Sequence, residues 1–124
     1  MRFIDSNILA YAFYQNTRQE ACQNAIKQGG ITDTFTLAEA FNIIQSETDQ
    51  NNAVRAIRGL LKSNLTILNT DVNAIYETTK RAEKHKNLKF IDLLHYTLAA
   101  LNTCTSILSY DKDFDRLDLP REEP

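Results

Sequence analysis

Arg2-Phe3-Ile4-Asp5-Ser6-Asn7-Ile8-Leu9 opens the chain with a short apolar run that ends in an acid and passes directly into a helical pattern. The spacing predicts a brief buried strand over 2–5, then a helix over 7–14 with Ser6 as its cap. The same alternation recurs downstream. Ile31-Thr32-Asp33, Leu65-Thr66-Ile67-Leu68 and Ser106-Ile107-Leu108-Ser109 read as strands. Between them lie helical stripes over 17–28, from Thr36 through Ile44, over 54–61, from Asp71 through Ala82, and over 88–102. Gly29-Gly30 stops the second helix, and Thr36 with Glu39 has the form of a capping box opening the third. Short apolar strands alternating with amphipathic helices predict an α/β fold of three α/β/α layers, with about four parallel strands in the centre. Ligands of such sheets bind outside the carboxyl ends of the strands.

Composition narrows the class. The 124 residues include only 3 Gly and 2 Pro, which excludes collagen-like and low-complexity chains. One domain over 1–119 is expected, with a charged, proline-bounded tail over 120–124 that frays. A net charge of −2 excludes a basic coat, so nucleic-acid binding would need a local patch. Cys22 and Cys104 form no metal or disulfide framework. The opening residues carry no signal-peptide pattern and no apolar run is long enough to span a bilayer, so a soluble cytoplasmic protein with no membrane partner is expected.

Four acids read toward one edge of the sheet. Asp5 ends the first strand, and Asp111 follows the last by two residues. If those strands are neighbours, the two carboxylates meet and raise each other's pKa unless a cation compensates. Hard oxygen ligands suit Mg²⁺ or Mn²⁺. Asp92 interrupts the apolar stretch Phe90-Ile91-Asp92-Leu93-Leu94, in the first turn of its helix. Glu39 lies off the Leu37/Phe41/Ile44 stripe and is free to face a cleft. Each acid also has a plainer reading: a capping-box partner for Glu39, a first-turn acid for Asp92, an exposed strand end for Asp5, a turn residue for Asp111. Positive charge clusters at Arg81, Lys84, His85, Lys86 and Lys89, with Lys112 and Arg116 flanking Asp111. A solvated helix end explains the 81–89 group equally well. His85 and His95 read as surface or packing residues, and Tyr11, Phe13 and Tyr14 as core or a partner surface.

Four segments in order resemble the motifs of PIN-domain ribonucleases, especially VapC-type toxins of toxin–antitoxin pairs. Phe3-Ile4-Asp5-Ser6-Asn7-Ile8-Leu9 resembles their opening, and Thr36-Leu37-Ala38-Glu39 their second motif. Phe90-Ile91-Asp92-Leu93-Leu94-His95 resembles the third, and Ser109-Tyr110-Asp111-Lys112-Asp113-Phe114 the fourth, with Ser109 in place of the commoner Thr. The likeness covers about residues 2–117. It implies that Asp5, Asp92 and Asp111 hold one or two Mg²⁺ or Mn²⁺ ions, that Glu39 orients or activates water, and that Asn7 and Ser109 support them. Asp113 and Asp115 stand near enough to share the role of Asp111. The implied reaction is hydrolysis of RNA to a 5′-phosphate and a 3′-hydroxyl. The implied partners are an antitoxin of the VapB kind and a second copy of the chain. An RNA-maturation nuclease or a non-catalytic PIN scaffold has the same fold. A receiver-type phosphoacceptor would need an acidic pair where Asp5 stands alone, and a haloacid-dehalogenase-like phosphatase would need Asp-x-Asp where the chain has Asp5-Ser6-Asn7.

Overall fold

A computed structural model describes all 124 residues. Five strands, β1 (Arg2–Ile4), β2 (Gly30–Asp33), β3 (Leu65–Leu68), β4 (Ser106–Leu108) and β5 (Arg121–Glu122), form one sheet in the order β3-β2-β1-β4-β5. Every pairing is parallel. Six helices, α1 (Ser6–Tyr11), α2 (Gln19–Gln28), α3 (Thr34–Glu47), α4 (Gln50–Leu61), α5 (Val72–Lys84) and α6 (Phe90–Leu101), cover its two faces. A 3-10 turn of helix spans Lys112–Arg116.

Strand periodicity builds two cores. Successive side chains point to opposite faces, so Ile4 and Leu108 join the core under α1–α4, while Phe3 and Ile107 join the core under α5 and α6. Ile8, Leu9, Ala40, Ile44 and Leu60 fill the first, and Leu94, Leu98, Ala99 and Phe114 the second. The tight seam between β1 and β2 requires glycine. A Cβ on Gly30 would stand 2.9 Å from the Arg2 carbonyl oxygen, and the backbone there has a φ of +154°.

The chain runs outward from β1 through β2 to β3, then returns to the other side of β1 as β4. The crevice between the carboxyl ends of β1 and β4 is therefore the switch point of the sheet. The register pairs Ile4 with Leu108, which sets Asp5 beside Ser109.

Three local expectations are corrected. Asp5, not Ser6, caps α1, accepting the Ser6 N–H at 2.7 Å. Asp33, not Thr36, caps α3, accepting the Thr36 N–H at 2.7 Å. Glu39 is thereby released from any capping box. The segment expected to fray supplies a fifth strand instead. Ile107 N–H donates to the Pro120 carbonyl and Ser109 N–H to the Glu122 carbonyl, both at 2.9 Å. Arg121 clamps the strand by pairing with Asp115 and Glu123 and donating to the Ser109 carbonyl. Charged residues suit an edge strand, so its polar sequence hides it. On α5 the Val72/Ile75/Tyr76 stripe faces outward; Ala74 and Thr78 are the buried residues.

Candidate active site

The site grows from β1. Asp5 is buried, and both of its oxygens are engaged. Oδ1 accepts the Ser6 N–H, and Oδ2 accepts the Ser109 hydroxyl at 2.6 Å and the Asn7 amide at 3.3 Å. The Ser109 hydroxyl in turn accepts the Asp111 N–H at 2.9 Å. One hydroxyl therefore ties the strand carrying Asp5 to the loop carrying Asp111. Asp111 caps the 3-10 helix by accepting the Asp113 N–H at 2.9 Å.

Two groups of possible metal-ligating side chains result. Asp5, Glu39 and His95 form one, and Asp92, Asp111 and Asp113 the other; within each, the ligand atoms lie within 4.8 Å of one another. The first group contains its own cation-forming residue. His95 is 1% exposed, with Nε2 2.7 Å from Glu39 Oε1 and 3.7 Å from Asp5 Oδ1. Its Nδ1 stands 3.3 Å from the Thr36 hydroxyl. Burial opposes its charging, but the Glu39 hydrogen bond and the charges of Asp5, Glu39 and Asp33 outweigh that and raise its pKa. Burial raises the pKa of Asp5, against the pull of His95 and the hydrogen bond from Ser109.

The second group has no such balance. Asp92 is half-buried at the start of α6, and its Oδ2 is enclosed with no hydrogen-bond partner. Burial first, then the charges of Asp111 and Asp5, push its pKa up to about 6. The enclosed carboxylate oxygen and the two further acids beside it are hard oxygen donors of the kind Mg²⁺ or Mn²⁺ takes.

The PIN domain profile matches residues 2–119 of this sequence. The chain belongs to the PIN-domain family. Solved structures similar to this PIN domain include the two that follow. VapC20 of Mycobacterium tuberculosis, described as a sarcin–ricin loop cleaving toxin, gives a TM-score of 0.86 at 14% identity, covering 100% of each chain. VapBC2 of Rickettsia felis, bound to a DNA fragment from its promoter, gives 0.76 at 15% identity, covering 98% of this chain and 97% of the other. At such identities the likeness is one of fold. No curated protein sequence matches the chain.

Within the PIN domain, the structure brings Asp5, Asn7, Glu39, Asp92, Ser109, Asp111 and Asp113 to one crevice. Asp115 lies outside it, paired with Arg121 at 2.9 Å. Of the basic residues, Lys84, Lys86 and Arg116 line one cleft with His85, Asn87 and Leu88. Arg81 is turned toward Glu77 and the Tyr96 ring. Lys89 is exposed at the N-terminal boundary of α6, and Lys112 is exposed between Asp111 and Asp113. His95, expected at the surface or in the packing, is buried, with both ring nitrogens facing polar groups. A histidine between Leu94 and Leu98 reads as packing. Its partners Glu39 and Asp5 are 56 and 90 positions away, so only the third dimension exposes its role.

Proposed function

We propose that this PIN domain, over residues 1–119 with β5 completing its sheet, is a divalent-metal-dependent endoribonuclease, the toxin of a VapBC-type pair acting in the cytoplasm. The observation that carries the reading is the enclosed, unpartnered Asp92 Oδ2 among acids gathered at the sheet's switch point. Asp5, Asp92 and Asp111 would hold Mg²⁺ or Mn²⁺, with Asp113 beside them. Such an ion would supply Lewis acidity, lowering the pKa of a water and offsetting charge on the attacked phosphate. Asn7 and Ser109 fix the Asp5 carboxylate by hydrogen bonds to Oδ2. Glu39 has Oε1 tied to His95 and no protein partner on Oε2, which suits it to accept a proton from the attacking water. Hydrolysis would leave a 5′-phosphate and a 3′-hydroxyl.

RNA requires positive charge beside this acidic crevice. The Lys84/Lys86/Arg116 cleft supports that role, and Arg81, Lys89 and Lys112 are further candidates for phosphate contact. A shallow cleft lined by Ala12, Phe13, Gln23, Ile26 and Lys27 offers an apolar seat for an antitoxin segment. The outward Val72, Ile75 and Tyr76 side chains offer α5 as a contact between two copies.

The test is cleavage of total RNA by partner-free protein with Mg²⁺ or Mn²⁺, beside EDTA, Asp5→Asn and Asp92→Asn controls. Discrete fragments lost in all three controls are expected. The sarcin–ricin loop, which the M. tuberculosis neighbour cleaves, is the first defined substrate to try. Cleavage unaffected by EDTA overturns the metal-dependent reading. A tightly bound small partner made with the chain separates a toxin from an RNA-maturation nuclease of the same chemistry.

A further inference from the structure

His95 is held on every side. Its ring neighbours Phe3, with centroids 5.5 Å apart, and Phe35, at 6.5 Å. Behind it, the Thr36 hydroxyl meets Nδ1 at 3.3 Å, and Thr36 is itself anchored by its N–H on Asp33 Oδ1 at 2.7 Å. In front, Nε2 meets Glu39 Oε1 at 2.7 Å. These contacts leave the imidazole little freedom to turn. A buried side chain that served only to fill space would more cheaply be Leu or Ile, since each imidazole nitrogen needs a partner once removed from water. Glu39 is the opposite case. It is a partly exposed, long side chain with several rotatable bonds, and His95 provides its one protein hydrogen bond.

We propose that His95 is the positioning residue of this site: it fixes one oxygen of Glu39 and so aims the other into the crevice. The chain Asp33–Thr36–His95–Glu39 is then a strut running from the end of β2 through α3 and α6 to the water-activating carboxylate. This inference rests on the nuclease reading for its kinetic consequences, while the strut itself is testable in metal-free protein.

Positioning acts on the chemical step, so His95→Leu should lower kcat about 10- to 100-fold, the usual range for residues that orient a site's ligands. KM for an RNA oligonucleotide should stay within about twofold of wild type, because no phosphate contact is altered. His95→Gln, whose amide N–H reaches the place of Nε2–H, should restore most of kcat. In a Glu39→Gln background His95→Leu should cost nothing further, since the two act as one unit. Thr36→Val removes only the rear contact and should lower kcat by less than about tenfold. This milder variant also serves if His95→Leu fails to fold.

The independent readout is proton NMR of the metal-free protein. A slowly exchanging His95 Nε2–H resonance is expected, and it should move in Glu39→Gln. Equal losses in the Leu and Gln variants, additive losses in the Glu39→Gln background, or a resonance indifferent to Glu39→Gln would each overturn the proposal. If wild type cleaves no RNA, the nuclease reading fails, and the resonance alone decides whether the strut exists.

Discussion

The two acid groups at the switch point differ in how their charge is balanced. Asp5 and Glu39 share His95, and Asp5 further accepts from Ser6, Asn7 and Ser109. In that half the fold partners every carboxylate oxygen but Glu39 Oε2. Asp92, Asp111 and Asp113 face one another with no basic side chain between them, and Asp92 Oδ2 has no partner. That half is left unbalanced. The difference teaches where the protein spends stability and where it stores chemistry. The first half sets its carboxylates against protein donors, while the second, on the proposed reading, is the half that would take up a cation.

The comparison breaks most visibly at Asp92. Asp92→Asn should abolish metal-dependent RNA cleavage, by more than about 100-fold, because loss of a ligand exceeds the loss from disturbing residues behind it. Cleavage rates on a defined oligonucleotide check this. Ser109→Ala probes the link between the halves. It removes the donor to Asp5 and the acceptor for the Asp111 N–H, and should lower the rate about tenfold and stability by about 1–2 kcal/mol, measured by kinetics and urea melts.

Acidity sharpens the contrast. The pKa of Asp92 is raised from 3.8 to about 6 in the folded state, so between those values the folded protein binds more protons than the unfolded chain. Stability of the metal-free protein should therefore fall as pH rises through this window. The half-exposed position of Asp92 limits the loss to about 1–2 kcal/mol. Melting temperatures from pH 4 to 7 should show the decline in wild type and a flatter profile in Asp92→Asn. The raised pKa of His95 has the same sign at higher pH: its stabilisation is complete below its unfolded value near 6.5 and is lost as pH climbs through the folded one. The smallest effect calibrates the others. Gly59 sits in the exposed face of α4 with nothing within 4 Å of an added Cβ. Gly59→Ala should raise stability by about 0.5–1 kcal/mol and leave cleavage unchanged, since it touches neither half.

The two halves were also unequally legible in the sequence. Asp5 and Asp111 read toward one edge because parallel strands present their carboxyl ends there; β1 and β4 do pair, and Ser109 links the two acids, which stand in separate groups. Asp92 stood out as a charge inside an apolar helix, and Glu39 as an acid off its helix's apolar stripe. What balances Asp5 and Glu39 was hidden. His95 gives a local pattern no different from core packing, and its contacts span 56 and 90 residues. Caps failed for a related reason. Asp5 and Asp33 each close a strand and open a helix, and a neighbouring Ser or Thr offered an equally good local cap. The edge strand β5 carries no apolar signal because its pairing rests on backbone bonds and Arg121.

The claim that the Asp92 group is a cation site is tested most directly by melting wild type and Asp92→Asn in EDTA and across a Mn²⁺ titration. In EDTA, Asp92→Asn should melt higher than wild type, by about 5 °C, because it lacks the enclosed charge. Added Mn²⁺ should raise the wild-type melting temperature progressively and leave Asp92→Asn nearly unmoved. Equal melting temperatures in EDTA, with no response of wild type to Mn²⁺ or Mg²⁺, would contradict the account.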